Sequence, residues 1–460
     1  MFIDCSQRLQ DKITEGLSGD DSCVFSPECI LVNPNTEFQY TCRYVKSIGI
    51  FQDFLGSYMD TMQIEIALTP KEHATVMANL KDMECTLVLY PYNDKTLQPI
   101  YEQTPIIYKM KVVVDEQVDL EKKFNINMFS NAEVEKDDPN SYMTAEQHSL
   151  TVPFVFHCVE PEAYELRHIK LNSVFSEVSS ESLVHWVCQQ FKVAETISVM
   201  PPDNKETMKN VILPPMQDIS SVFPFIQERY AIYSKGLGYY FTDKSFYIYP
   251  PFDTKEESSP VKGTLHIINA PTKYFQGLDR YHSKIDDDIL IVTISPVDLK
   301  PLNMEGTENG GNVHVSTNAD RMRDNFVNVS SEGKVTRNIN DIAVIQMQNQ
   351  EGNAKSDIQN VEYKGERTNV FTSTTQMAMV NSTILTTSWI RAYPHLIKPG
   401  HNVLYHYDAA LGIYKTQKGR IMQIFYGGQV HTSETEKPWV SFTATFKAFL
   451  EADKQSPIEV

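Results

Sequence analysis

Four successive stretches decide how this chain reads: Ser179-Ser-Glu-Ser-Leu-Val-His-Trp-Val-Cys-Gln-Gln-Phe191, Ile197-Ser-Val-Met-Pro-Pro202, Leu213-Pro-Pro-Met-Gln-Asp-Ile-Ser-Ser-Val-Phe223 and Gly238-Tyr-Tyr-Phe-Thr-Asp-Lys-Ser-Phe-Tyr-Ile-Tyr-Pro250. In the first, Ser179 or Ser180 can cap free backbone N–H groups, and Leu183, Val184, Val187, Cys188 and Phe191 recur on one helical face. That stripe has to be buried. The second is a strand ending in Pro201-Pro202. The third reads as a helix opened by Pro214-Pro215-Met216, with Met216, Ile219, Val222, Phe223, Ile226 and Tyr230 as its apolar stripe. Pro224 would break an interior turn, a conflict that eases if the regular helix starts near Ser221 and Pro224 falls in its first turn. The fourth is an aromatic hairpin turning at Thr242-Asp-Lys-Ser245, with arms too short to stand without the helices.

Around this unit the chain is long. At 460 residues it exceeds what one hydrophobic core holds, and about three domains are expected. Hydrophobic residues make up 41% and aromatics 11%, as in globular proteins, and no apolar run approaches the roughly 20 residues of a membrane helix. The start, Met1-Phe-Ile-Asp-Cys5, lacks the basic and apolar regions of a secretory signal, so folding in a cytoplasm is expected. The seven cysteines are Cys5, Cys23, Cys29, Cys42, Cys85, Cys158 and Cys188, scattered and without a C-x-x-C pair, which reads as buried or idle thiols. A net charge of −18 argues against tight nucleic-acid binding, because phosphate affinity comes from Lys and Arg displacing counterions. The ordinary use of such a charge is solubility.

Residues 1–172 read as an N-terminal antiparallel β-barrel or sandwich, from runs such as Phe38–Val45, Met62–Leu68, Cys85–Tyr90, Ile106–Val114 and Leu150–Val159, with a helix inserted at Pro70–Leu80. Residues 130–148 read as an exposed loop. The unit quoted above occupies 173–250. Residues 251–302 begin a second β unit with the strands Gly263–Asn269 and Asp288–Ile294; 303–368 is a polar insertion or extended arm; 369–450 completes the second barrel; 451–460 is a tail. In that last barrel Gly412–Lys415 and Arg420–Gly427 read as separate short strands. The fold class is therefore α+β and β-rich, with two antiparallel barrels and smaller α/β domains between or beside them.

Motifs for chemistry are missing. The sequence holds no nucleophile elbow, Walker loop, H-E-x-x-H or dinucleotide fingerprint; Gly236-Leu-Gly238 lacks the third glycine and reads as a turn. Asp286, Asp287 and Asp288 could chelate a divalent cation, yet a solvated loop before a strand explains them more simply. His401 and His406 fall on opposite strand faces, which argues against a shared metal. Met200, Met208 and Met216 read as core or interface filler. No catalytic, cofactor-binding or metal residue is assigned, and no cofactor is expected.

Taken in order, the capped helix, the Leu213-Pro-Pro-Met216 opening, the Ile232–Phe241 hairpin with Tyr247-Ile-Tyr-Pro250, and the closing Ile397-Lys-Pro-Gly-His-Asn-Val403 resemble the baseplate hub protein of contractile-tailed bacteriophages. That family includes the late control D tail proteins and the N-terminal half of type VI secretion spike proteins. The resemblance lies over about 173–250 and 383–449; elsewhere it rests on β-rich character. It implies a non-enzymatic homotrimer whose two barrels per subunit form a pseudo-sixfold ring. Such a ring adapts a hexameric tail tube or tube-initiator protein to a trimeric central spike within the virion baseplate, beside wedge proteins. It inserts in no membrane and binds no nucleic acid specifically, while genome DNA passes through its channel. The chain ends soon after the barrel without β-helix repeats, so a separate spike chain is expected. An acidic wall around the channel would keep DNA from adhering.

Two other classes compete. A tail-associated cell-wall hydrolase would need a catalytic constellation. A carbohydrate-binding adhesin would stack sugars on Tyr239, Tyr240, Tyr247, Tyr249 and Trp389, although strand aromatics at alternating positions are usually core.

Overall fold

The computed structural model describes residues 24–113, 152–269, 281–301 and 382–451, less 43, 56, 94–97, 101–102, 191–193, 206, 294–296, 411–412 and 432–436, together with the short strands Val313–Val315, Phe326–Val329, Val335–Asn338 and Val344–Gln346. The expected loop at 130–148, Cys5, Cys23, Phe191 and most of 303–368 lie outside the described residues.

The N-terminal strands follow their alternation. In Val24–Asn33 the side chains of Phe25, Cys29 and Leu31 point into the core while Ser26, Glu28 and Ile30 are half-buried. An antiparallel row runs from Val45–Asp53 through Thr61–Leu68, Val152–Val159, Ile106–Val112 and Glu84–Asn93 to Val24–Asn33. The inserted helix is Pro70–Ala78, held at its start by a reciprocal cap in which Glu72 N donates to Thr69 Oγ1 at 3.3 Å and Thr69 N donates to Glu72 Oε2 at 2.9 Å.

Two strands from the far end of the chain close this row. Val45–Asp53 pairs with one end of the long strand Ile413–His431, and Val24 and Phe25 pair with Ser441 and Val440 of Trp439–Leu450. Those two long strands pair with each other, so eight strands form a closed circuit. The other ends of the same two strands join a second row. Asn402–Ala410 pairs with Ile413–Arg420, and Thr383–Ala392 pairs with Phe442–Leu450. Thr264–Asn269 and Asp288–Thr293 extend the row beyond Asn402–Ala410. Thr293 then brings the row back on itself, its Oγ1 lying 2.9 Å from Thr387 Oγ1 and donating to Ser388 O at 2.8 Å. Thr264–Asn269 runs parallel to both neighbours, which differs from the all-antiparallel pairing expected for this part. His282–Ile285, antiparallel to Asp288–Thr293, lies outside it.

Because the long hairpin is shared, one apolar core runs through both rows, from Phe25, Ile50, Leu87 and Phe156 to Trp389, Tyr405 and Phe446. Ile413–His431 is a single strand where the sequence suggested two. Its glycines serve close approach and not turning: a Cβ on Gly419 would sit 2.0 Å from Phe449 O, and one on Gly428 would sit 2.5 Å from Val440 Cγ2.

The unit quoted first has its own core of Leu183, Val187, Val222, Phe223, Ile226 and Phe246 among others. Its helix Ser180–Gln189 is capped by Ser179, whose Oγ accepts Ser182 N at 3.2 Å. Thr196–Val199 lies parallel to Ser245–Tyr249, which pairs with Gly238–Thr242. The hairpin turns at Asp243 and Lys244, with φ of 48° and 56°.

The Pro-Pro-Met reading needs correction. Pro214, Pro215 and Met216 lie within a strand, Thr207–Asp218, at the irregularity between Leu213 and Gln217 in its pairing with Lys170–Ser179. Prolines are admitted there because a two-stranded ribbon with a bulge leaves backbone N–H groups without a ladder partner. The helix is Ile219–Arg229, so Pro224 is interior and not in the first turn. The core contacts of Val222, Phe223 and Ile226, all fully buried, outweigh the one lost helical bond.

Candidate functional site

The helix–hairpin unit meets the strand rows at two buried polar junctions, and these are where the chain spends its unusual residues. At the first, Arg420 is fully buried on the long strand. Its Nη1 donates to Ser258 O at 2.8 Å and Pro250 O at 3.2 Å. Its Nη2 donates to Asn402 Oδ1 at 2.8 Å, Lys255 O at 3.2 Å and Ser258 Oγ at 3.3 Å. The guanidinium carbon stands 5.9 Å from the centroid of the Tyr249 ring. Burial lowers Arg420 to about 10, so it keeps its charge, solvated by carbonyl oxygens in place of water. Two motifs far apart in sequence, Tyr247-Ile-Tyr-Pro250 and Ile397–Val403, therefore meet on one side chain.

At the second junction, Asp60 is buried between Val45–Asp53 and the aromatic hairpin. Its Oδ1 accepts Gln52 Nε2 at 3.0 Å and Tyr240 OH at 2.8 Å, and its Oδ2 accepts Thr242 Oγ1 at 2.7 Å. The backbone adds Phe241 N donating to Tyr58 O at 2.7 Å. Burial pushes Asp60 up, and the three donors pull back without cancelling it. Beside it Glu160 is raised to about 9 by burial and by the Asp60 charge, and accepts Lys244 N at 3.3 Å. A cavity of about 450 Å³ opens here, lined by Asp60, Tyr108, Glu160, Asp243, Lys244 and His395 among others. It lacks a nucleophile paired with a base, and among the described residues no three His, Cys, Asp or Glu side chains are grouped to hold a metal ion.

The residues weighed from sequence fall elsewhere. Asp286 and Asp287 form the turn between His282–Ile285 and Asp288–Thr293, and Asp288 Oδ1 accepts Thr264 N at 2.8 Å. His401 is buried, its Nδ1 accepting Lys398 N at 2.8 Å. His406 lies 3.1 Å from His266 and 3.0 Å from Thr416 Oγ1. Met200 and Met208 pack against the core of the helix–hairpin unit. Of the aromatics a sugar platform would need, Tyr240, Tyr249 and Trp389 are fully buried and Tyr239 and Tyr247 half-buried. Sequence reasoning missed Arg420 and Asp60: Asp60 precedes the strand Thr61–Leu68 and Arg420 follows the polar run Lys415–Gly419, so neither stands out locally.

A family model described as the bacteriophage PBS1 gene 109 protein matches residues 111–267. The chain is similar to phage tail proteins. Among solved structures it is similar to a tail protein from Neisseria meningitidis MC58, at 11% identity and a TM-score of 0.43, over 93% of this chain and 97% of that one. It is also similar to the prophage MuSo2 43 kDa tail protein from Shewanella oneidensis, at 10% identity and 0.44, over 93% and 100%. A third likeness is to the Francisella PdpA–VgrG complex, at 8% identity and 0.44, over 100% of this chain and 63% of that one. No curated protein matches the sequence. No helix among the described residues is long and apolar enough to cross a membrane.

Proposed function

We propose that this chain is a structural hub of a phage tail baseplate. In this reading three copies form a ring that adapts the hexameric tail tube to a trimeric central spike, contacts wedge proteins, and lets genome DNA pass. The observation that carries it is the long hairpin of Ile413–His431 and Trp439–Leu450, which serves two strand circuits at once. Two barrels fused through shared strands cannot rotate against each other without breaking backbone hydrogen bonds. Three such pairs give six similar units about a threefold axis, the match that a sixfold tube and a threefold spike require.

We propose domains at 1–172, 173–250, 251–302, 303–368, 369–450 and 451–460, the last barrel lending its hairpin to the first. The work is mechanical and needs no cofactor. The net charge of −18 supports a repulsive channel wall for DNA. The protein would be assembled in a bacterial host cytoplasm and end in the virion. Light scattering on the purified full-length chain tests this: a mass of three chains is expected, and a monomer that gains nothing from purified tail tube rejects it. Activity on peptidoglycan in a zymogram would favour a cell-wall hydrolase instead.

A further inference from the structure

Four of the cysteines that the sequence leaves idle converge inside the first strand circuit. Cys29, Cys42, Cys85 and Cys158 are all free and buried, on four different strands. The Cys29 and Cys85 sulfurs are 3.6 Å apart, Cys42 is opposed to Cys29 across its strand pair, and all four belong to one buried core. The four thiols thus form one cluster. Among the described residues no group of side chains is arranged to hold a metal ion.

Within the cluster the pairs differ in what they can become. Cys29 and Cys42 are directly opposed in the antiparallel ladder of Val24–Asn33 with Phe38–Cys42. Directly opposed residues have Cα atoms about 4.5–5.5 Å apart, inside the range of about 4.4–6.8 Å that a disulfide accepts. Cys29 faces Leu87, and Cys85 faces Leu31, so Cys29 and Cys85 are diagonal neighbours. Diagonal Cα atoms lie about 7–8 Å apart, beyond that range. Cys42 is also the outermost of the four at 7% exposure, against 0% for the others, and it ends a short strand hung from one neighbour off the main path of the sheet. Such a strand opens locally at lower cost than the circuit itself.

We propose that Cys29 and Cys42 are a reversible redox pair, closing to a cross-strand disulfide when the protein meets a small-molecule disulfide such as oxidised glutathione. The contact with Cys29 and burial hold Cys42 protonated while the edge strand is closed, so the thiolate forms when that strand opens; it then attacks one sulfur of the small disulfide, forming a mixed disulfide and releasing one thiolate. The Cys29 sulfur then attacks Cys42 Sγ, forming the Cys29–Cys42 bond and expelling the second thiolate. Two protein thiols are oxidised, one small disulfide is reduced to two thiols, and the two protons leave with them. Donation from Cys42 and then Cys85 lowers Cys29 against the raising effect of burial while both partners are thiols, and once Cys42 is a mixed disulfide the Cys85 donation is the one that remains for the second attack. The occasion for closure rests on the tail reading, since a particle leaving a reducing cytoplasm meets an oxidising medium. The chemistry does not rest on it.

The full-length protein is incubated with oxidised glutathione, quenched by alkylation in denaturant, and mapped by mass spectrometry. The expected result is a peptide pair joined through Cys29 and Cys42, lighter by two hydrogens, restored by dithiothreitol, and absent in Cys42→Ser. Both thiols remaining fully alkylatable at the end of the incubation overturns the proposal, as does a dominant Cys29–Cys85 or Cys85–Cys158 link. Cys42→Ala serves as a second variant if the serine unfolds the edge. A positive map in a protein that scatters as a monomer would keep the redox pair and reject only the ring.

Discussion

Replacing Arg420 by alanine should loosen the junction on which the two halves of the unit's frame meet. Of its five acceptors, Pro250 O also takes Asp253 N at 3.3 Å, and Lys255 O also takes Ser258 N at 3.2 Å. Ser258 Oγ keeps a bond to Lys255 O at 2.8 Å. Ser258 O and Asn402 Oδ1 depend on the guanidinium. Two buried acceptors left unpaired cost about 1–3 kcal/mol each, so the acceptors alone predict roughly 2–6 kcal/mol. Removing the buried charge returns part of the desolvation cost, and the cavity left by a fully buried side chain adds to the loss. A net destabilisation of about 4 kcal/mol is expected. Urea unfolding of the full-length protein measures it, with Arg420→Met as the control that keeps volume and loses donors. Hydrogen exchange should quicken in 250–258 before anywhere else. An alanine variant with the wild-type midpoint, or a methionine variant that restores it, would refute the reasoning.

Three further outcomes follow from other parts of the molecule. Burial holds His401 and His406 near 4 against an ordinary 6.5, so the unfolded chain takes up protons first. Stability is then full above about 6.5 and declines as pH falls toward 4, and His406→Gln should flatten that decline in acid melts. Glu160 runs the opposite way: held up to about 9, it keeps its proton folded while the unfolded chain releases it near 4.5. Stability from this group is present at low pH and lost as pH rises through that window, so Glu160→Gln should gain on wild type in urea titrations toward alkaline pH; equal slopes would contradict this. Thr69→Ala removes the reciprocal cap of Pro70–Ala78 and should cost about 1 kcal/mol in the same assay, with an unchanged midpoint counting against the cap.

Legibility from sequence followed the range of the interaction. Ser179 and Thr69 act on backbone a few residues away, so both helix starts could be read locally. The Asp243–Lys244 turn could be read for the same reason, lying between two aromatic arms. Pro214-Pro215-Met216 misled because its partner, Lys170–Ser179, lies before the helix Ser180–Gln189 and left no mark in the local pattern. Gly412–Lys415 and Arg420–Gly427 read as two strands, but Gly419 between them is set by the close approach of Phe449 O, some thirty residues on. The junction residues were least visible. Asp60 is explained by Tyr240 and Thr242, and Arg420 by a loop at 250–258, and no spacing rule links positions so far apart. The closure of the first circuit by the last two strands was hidden for the same reason.

The central claim is a ring built from paired strand circuits, and electron cryomicroscopy of the purified full-length oligomer tests it most directly. Class averages and a reconstruction should show threefold symmetry with six barrel-sized densities around an open channel. Particles of a single chain, or an assembly with no channel on its axis, would contradict the account.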